Sequence, residues 1–234
     1  MSVYLIINIF IIILPFLLSF ENKIKFYKKI LPVSISIVTV GMIYIVWDIA
    51  AVNRGDWAFN QQYVSDLKLF NLPVEEILFF ISVPYSTIFI YESLRHYIKE
   101  KHLNIDKYIY LTFTLMFFIA GIVLYSRNYS ATVLIFCSVL ILMLLIFQKQ
   151  FTVTNILLIT LLISFIPFFA VNYILTSLPV VVYNESEITG FRIFSIPVED
   201  LFYSISMITL WLSVYIFADK HKSSFKIKYD KSAA

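Results

Sequence analysis

Apolar residues run along this chain in long blocks, separated by short polar segments. Blocks long enough to cross about 30 Å of hydrocarbon, which takes roughly 20 helical residues, recur seven times: Val3–Phe20, Ile30–Val52, Pro73–His96, Tyr108–Ser126, Ala131–Phe147, Phe151–Leu178 and Pro197–Ala218. The pattern predicts an all-α integral membrane protein of seven transmembrane helices. Pro84 and Pro167 fall inside blocks and are expected to kink them where neighbours satisfy the freed backbone groups.

Composition sharpens this. The chain is 60% hydrophobic and only 14% charged, against about 45–50% and 25% in soluble domains. No soluble fold of 234 residues could cover so much apolar surface. The seven spans use up the chain, so 1–234 is expected to form a single membrane domain. The first block lacks a basic leader and a small-residue cleavage site, and reads as a retained span. Cys137 is the one cysteine, which excludes a disulfide framework or a cysteine-rich metal site and leaves it a packing residue. Fourteen of the 18 lysines and arginines fall in the segments after spans 1, 3, 5 and 7, Lys149 among them. The opposite side holds Arg54, Lys68, Arg127 and Arg192. By the positive-inside rule the protein is a multi-pass cell-membrane protein with its N-terminus outside and its C-terminus in the cytoplasm. The segment 219–234 is expected to be a basic, flexible cytoplasmic tail.

A shift of 124 residues lays the third span over the seventh without gaps, with seven identities in the 23 positions from Asn60 to Ser82. Leu72-Pro73-Val74-Glu75-Glu76 meets Ile196-Pro197-Val198-Glu199-Asp200, Lys68 meets Arg192, and Asp48 meets Asn172. Spans 1–3 and 5–7 are therefore read as parallel three-helix repeats, residues 1–100 and 131–218, joined by a linker span within 101–130. A shift of four spans preserves direction, so both acidic pairs are expected at one depth near the outer face.

None of the spans carries lysine or arginine in its central part, and the acids within them are Asp48, Glu75, Glu76, Glu92, Glu199 and Asp200. Each such charge costs about 2.5–3.5 kcal/mol on insertion scales and is a functional candidate by default. Proline favours the first helical position, which puts each acidic pair in a first turn. A helix N-terminus favours an anion by about 0.3–1 kcal/mol, whereas a buried carboxyl without a cation favours its neutral form by several. A helix turn can thus offer an acid beside a conjugate base. The aromatics around these acids, among them Trp57, Phe79, Phe80, Tyr85, Tyr91, Phe202 and Tyr203, would stabilise a transient cation through their π faces. The sequence has no glycine-rich phosphate loop, dinucleotide fingerprint, His/Cys metal cluster or aspartate-rich diphosphate motif. His96, His102 and His221 sit at the cytoplasmic edge. No metal, cofactor or nucleic-acid partner is expected.

The stretch Asp48 … Gly55-Asp56-Trp57-Ala58-Phe59-Asn60 … Asn71-Leu72-Pro73-Val74-Glu75-Glu76-Ile77-Leu78-Phe79-Phe80, followed by Pro84-Tyr85 and Ile90-Tyr91-Glu92, resembles the first half of the membrane-embedded lycopene β-cyclases. Asn172-Tyr173-Ile174-Leu175-Thr176, Leu178-Pro179-Val180-Val181, Gly190-Phe191-Arg192-Ile193 and Ile196-Pro197-Val198-Glu199-Asp200-Leu201-Phe202-Tyr203 resemble the second half. The resemblance covers almost the whole chain and implies the fused, single-chain form. Asp66 departs from it, standing where a glycine like Gly190 is expected. The resemblance implies a non-redox isomerisation of lycopene, to γ-carotene and then β-carotene. An acid protonates the terminal alkene of a ψ-end, the carbocation closes a six-membered ring, and a base removes a ring proton. Glu75, Glu76, Glu199 and Asp200 are then the expected acid–base groups. Asp48, Asn172, Phe79, Phe80, Tyr85, Glu92, Tyr203 and Arg192 are expected around the substrate, with Arg192 and Lys68 tuning the carboxylates. The partners implied are lycopene and the bilayer; a homo-oligomer and association with other carotenoid enzymes are left open. Three other readings compete. A transporter or proton relay would spread its acids along a path through the membrane, whereas four of the six cluster at one depth. A retinal protein would need a lysine in the last span, which has none. A cyclase of elongated, prenylated carotenoids is not separated by these motifs.

Overall fold

The computed structural model describes residues 1–148 and 153–232, with 222–232 as backbone only. Lys149 and the expected start of the sixth span at Phe151 lie outside the described residues, as do the last two residues of the tail. Seven α-helices follow in chain order: α1 Val3–Leu18, α2 Ile30–Arg54, α3 Val74–Tyr97, α4 Lys107–Val123, α5 Asn128–Ile146, α6 Asn155–Ser177 and α7 Val198–Ser232. Six short strands lie in the connections: β1 Trp57–Phe59, β2 Lys68–Leu69, β3 Leu72–Pro73, β4 Val181–Tyr183, β5 Arg192–Ile193 and β6 Ile196–Pro197.

Five helices are long and apolar enough to cross a membrane, while α1 and α4 are shorter apolar helices. At 1.5 Å per residue α1, of 16 residues, is about 24 Å long. It ends before Phe20 because the chain turns there: the Ser19 hydroxyl donates to the Pro15 carbonyl at 2.7 Å, and a 3-10 turn follows at Phe26–Lys29. The starts of α1, α4 and α6 are capped by short polar side chains. Ser2 accepts from Leu5 N–H, Asp106 from Tyr108 N–H and Thr154 from Leu157 N–H, as the orphan amides of a first turn require. Gly55, at φ 82°, closes α2. Neither Pro84 nor Pro167 ends its helix. Contrary to the expected flexible tail, α7 continues past Ala218 to Ser232.

Outward faces are apolar, with Phe10, Leu14, Val46, Ile119 and Ile166 exposed, while serines, threonines and, among the described residues, seven carboxylates are buried. That inverted distribution suits lipid, where tight contact and interhelical hydrogen bonds hold helices together. Ser36 donates to the Trp211 carbonyl at 2.7 Å, and the Tyr44 and Ser206 hydroxyls meet at 2.8 Å.

Helices α3 and α7 pack at the centre. Exchange α1 with α5, α2 with α6 and α3 with α7, and each main packing relation finds its counterpart: α1 on α3 with α5 on α7, α2 on α7 with α6 on α3, and α2 on α3 with α6 on α7. Helix α4 packs chiefly on α5. The antiparallel β1–β4 ribbon has the same property. Its register pairs Trp57 with Tyr183, Ala58 with Val182 and Phe59 with Val181, and a 124-residue shift maps each of the two outer pairs onto the other.

Candidate active site

Each acidic pair is delivered by a tight hairpin. Lys68–Leu69 pairs with Leu72–Pro73, and Arg192–Ile193 with Ile196–Pro197. The left-handed conformations of Phe70, Asn71 and Phe194 close these turns, the geometry a two-residue hairpin needs. The main-chain bond that ends each hairpin recurs at the same offset: Val74 N–H donates to Leu67 C=O at 3.0 Å and Val198 N–H to Phe191 C=O at 2.9 Å. Pro73 is the N-cap of α3 and not its first helical residue, so Glu75 and Glu76 are the second and third residues of the first turn.

Adjacent residues on a helix point about 100° apart, and the two members of each pair have different surroundings. Glu75 accepts from the Ser2 hydroxyl at 2.5 Å, from Ser65 N–H at 2.8 Å and from the Ser65 hydroxyl at 3.1 Å. Glu199 does the same in the second half, accepting from the Ser130 hydroxyl at 2.5 Å and Thr189 N–H at 2.6 Å. These two glutamates tie the hairpin loop and the first helix of each half to α3 and α7.

Glu76 and Asp200 instead line a cavity of about 530 Å³, together with Asp48. Glu76 accepts from the Tyr4 hydroxyl at 2.7 Å. Asp200 accepts two phenol hydrogen bonds, from Tyr129 at 2.7 Å and Tyr183 at 2.8 Å. Asp48 accepts from Tyr203 at 2.9 Å and lines the same cavity as Glu76. All three acids are at most 8% exposed. Among the described residues no lysine or arginine forms an ion pair with them; the cations pair elsewhere, Arg54 with Asp56 at 2.5 Å and Arg192 with Glu185 at 2.5 Å. Outside the spans, burial and the nearby Asp200 hold the Tyr183 phenol well above its ordinary range, so it stays a hydrogen donor.

The rest of the cavity is mainly aromatic and aliphatic, with Ser86, Thr87, Ser164, Asn172 and Ser204 as its other polar residues. Tyr4, Trp57, Phe59, Phe79, Tyr129, Tyr183 and Tyr203 surround the acids, and the wall continues along α1, α3 and α6. Comparison with known families is decisive at this point. The sequence model of lycopene cyclase matches residues 1–94 and 126–218. The chain belongs to the lycopene cyclase family. Neither the curated proteins nor the solved structures returned a match. Membership makes the protein an enzyme of carotenoid cyclisation, and the matched stretches leave out α4.

In this family member the expected site residues divide. Glu76, Asp200, Asp48, Phe79, Tyr203 and Asn172 line the cavity, although the Asn172 amide is engaged with the Phe168 carbonyl at 3.0 Å. Glu75 and Glu199 do not line it, being held by the loops. Phe80 follows Phe79 round the helix and packs against Tyr44 and Trp211. Tyr85 bonds the Ser19 hydroxyl at 2.6 Å and stacks edge-on to Phe26. Glu92, sixteen residues beyond Glu76, lies at the other end of α3, where it pairs with Arg95 at 2.7 Å. Arg192 bonds Glu185 and the Ser195 carbonyl, and Lys68 is exposed on its hairpin. Asp66 does not share the left-handed backbone of Gly190, at φ 83°, yet both loops still deliver the amide at Ser65 or Thr189 to the glutamate.

Sequence reasoning missed Tyr4, Tyr129 and Tyr183. Tyr4 and Tyr129 serve equivalent carboxylates but lie 125 residues apart, one off the offset that aligns the acidic motifs, and an ungapped shift hides the match. Tyr183 stands opposite Phe59 in the repeat, so only the position was shared, not the hydroxyl.

Proposed function

We propose that this protein is a lycopene β-cyclase, cyclising the ψ-ends of lycopene to β-rings through γ-carotene to β-carotene. The observation that carries the reading is the set of three carboxyls, Asp48, Glu76 and Asp200, held by phenols in one apolar, aromatic cavity without a cation. The Asp48–Glu76 pair is the proton donor and Asp200 the acceptor. The proton held by the pair adds to the terminal alkene of the ψ-end. The resulting cation, flanked by π faces, is attacked by the internal double bond, which closes the six-membered ring. Asp200, held in place by two phenol donors, removes the ring proton. One proton enters the hydrocarbon and one leaves, one C–C σ bond replaces one π bond, and no redox partner is consumed.

In this reading the chain is seven spans in two parallel repeats, α1–α3 and α5–α7, with α4 as linker, N-terminus outside and C-terminus in the cytoplasm. The interchangeable packing and the self-mapping β1–β4 ribbon support the repeats. The boundaries of the family match support them too, since residue 218 lies 124 beyond residue 94. The reading is tested by expression in a lycopene-accumulating bacterium, followed by chromatography of the pigments. β-Carotene is expected; γ-carotene alone would restrict the activity to one end, and unchanged lycopene would sink the proposal.

A further inference from the structure

The cavity is a long furrow open at one side. On α3 its lining runs from Glu76 to Ile90, about 21 Å at 1.5 Å per residue. Phe10, Leu14 and Leu18 line it from α1 at i, i+4 and i+8. Pro167, Ala170 and Ile174 line it from α6 at i, i+3 and i+7. These six residues are also exposed on the outer surface. Residues so spaced share one helix face, so each helix presents a single apolar edge both to the furrow and to lipid. Helices α1 and α6 each pack on neighbours at the centre of the bundle and scarcely on each other.

The related groove between α5 and α2 is closed. Tyr44 and Trp47 stand 124 residues before Phe168 and Val171, which line the open furrow. Both are buried and packed against Phe136 of α5, with ring centroids 5.5 and 4.9 Å away. One side of a repeated architecture is thus filled with aromatic rings and the other left open, and the three cavity carboxyls all serve the open side.

We infer that the slot between α1 and α6 is a lateral port through which one arm of a long apolar polyene passes from the bilayer. The reactive end reaches the carboxyls while the distal end stays in lipid. This rests on the cyclase reading and deepens it. With one furrow per chain, the two ends are treated in separate visits. The one-ring product leaves, reverses and returns.

The test uses the full-length protein in proteoliposomes loaded with lycopene. Leu14→Trp and Ala170→Trp are expected to slow ring formation about tenfold or more, equivalent to ~1.4 kcal/mol, with unchanged thermal stability. Ile119→Trp, on the lipid face of α4 where Ile119 is 58% exposed, is expected to be silent. Slot variants as fast as the wild type would overturn the port. A second measurement needs no variant: excess unlabelled γ-carotene added to labelled lycopene is expected to trap label in the γ-carotene pool, and label that reaches β-carotene without appearing in γ-carotene would overturn separate visits. A wild-type protein that leaves lycopene untouched would remove the cyclase reading itself, a result distinct from either of these.

Discussion

At the scale of single residues, the division of each acidic pair yields the sharpest expectations. In the proposed mechanism, Glu76→Gln and Asp200→Asn remove a proton donor and a proton acceptor from the cavity. Each is expected to lower ring formation by about 10²–10⁴, the range of general acid–base catalysis, with little change in the amount of folded protein. Glu75→Ala and Glu199→Ala act elsewhere. They strip acceptors from Ser65 and Thr189 N–H and from the Ser2 and Ser130 hydroxyls, and each is expected to lower stability by about 1–3 kcal/mol, the cost of leaving such groups unsatisfied. Residual folded protein should keep most of its activity. Thermal melting in detergent, read beside pigment analysis, separates the two classes; abolished chemistry at unchanged stability in Glu75→Ala would contradict the division. Tyr203→Phe removes one donor to Asp48 without moving the ring. It is expected to cost roughly fivefold in rate, about 1 kcal/mol for a lost hydrogen bond.

At the scale of elements, the hairpin–helix junctions carry the site. Gly190, at φ 83°, has nothing within 4 Å of a built Cβ. Gly190→Ala therefore isolates the backbone cost, expected at about 1 kcal/mol, whereas Asp66→Gly at the equivalent position should gain nothing because that backbone is not left-handed. Comparing the two melting points checks it. Helix α4 is held against α5 by close contact at Gly121, where a Cβ would come within 2.7 Å of the Ile135 side chain and 3.3 Å of the Ala131 carbonyl. Gly121→Leu is expected to destabilise the fold by about 1–3 kcal/mol through overpacking. Ring formation per folded molecule should persist, since α4 supplies no residue to the cavity.

At the scale of the whole molecule, the two proposed repeats share a frame and differ in chemistry. Asp48 in the first half stands where the second has Asn172, and Tyr183 and Tyr203 in the second stand where the first has Phe59 and Phe79. The Asp48–Tyr203 bond crosses between halves, so neither half completes the site. Each half expressed alone is expected to be inactive, and co-expression to restore β-ring formation in the lycopene-accumulating strain. Orientation belongs to this scale too: the proposed topology expects a reporter fused at the C-terminus to read cytoplasmic, the side to which the positive-inside rule assigns fourteen of the lysines and arginines.

Much of this was legible in the chain before any tertiary structure. Long apolar blocks demand helices in lipid, because a backbone without water must satisfy its own hydrogen bonds. Of the costly intramembrane acids, Asp48, Glu76 and Asp200 line the cavity, and the repeated Pro-Val-Glu motif falls at two helix starts. What the sequence could not decide was direction. Glu75 and Glu76 are neighbours in the chain, but the helical turn sends one to the loop amide and the other to the cavity. Asp48 joins Glu76 only because α2 packs on α3. Tyr4, Tyr129 and Tyr183 find their carboxylates through contacts spanning 17 to 72 residues. Which of two equivalent grooves stays open is likewise a matter of packing: Tyr44, Trp47 and Phe136 are ordinary apolar-span residues until they meet and fill one of them.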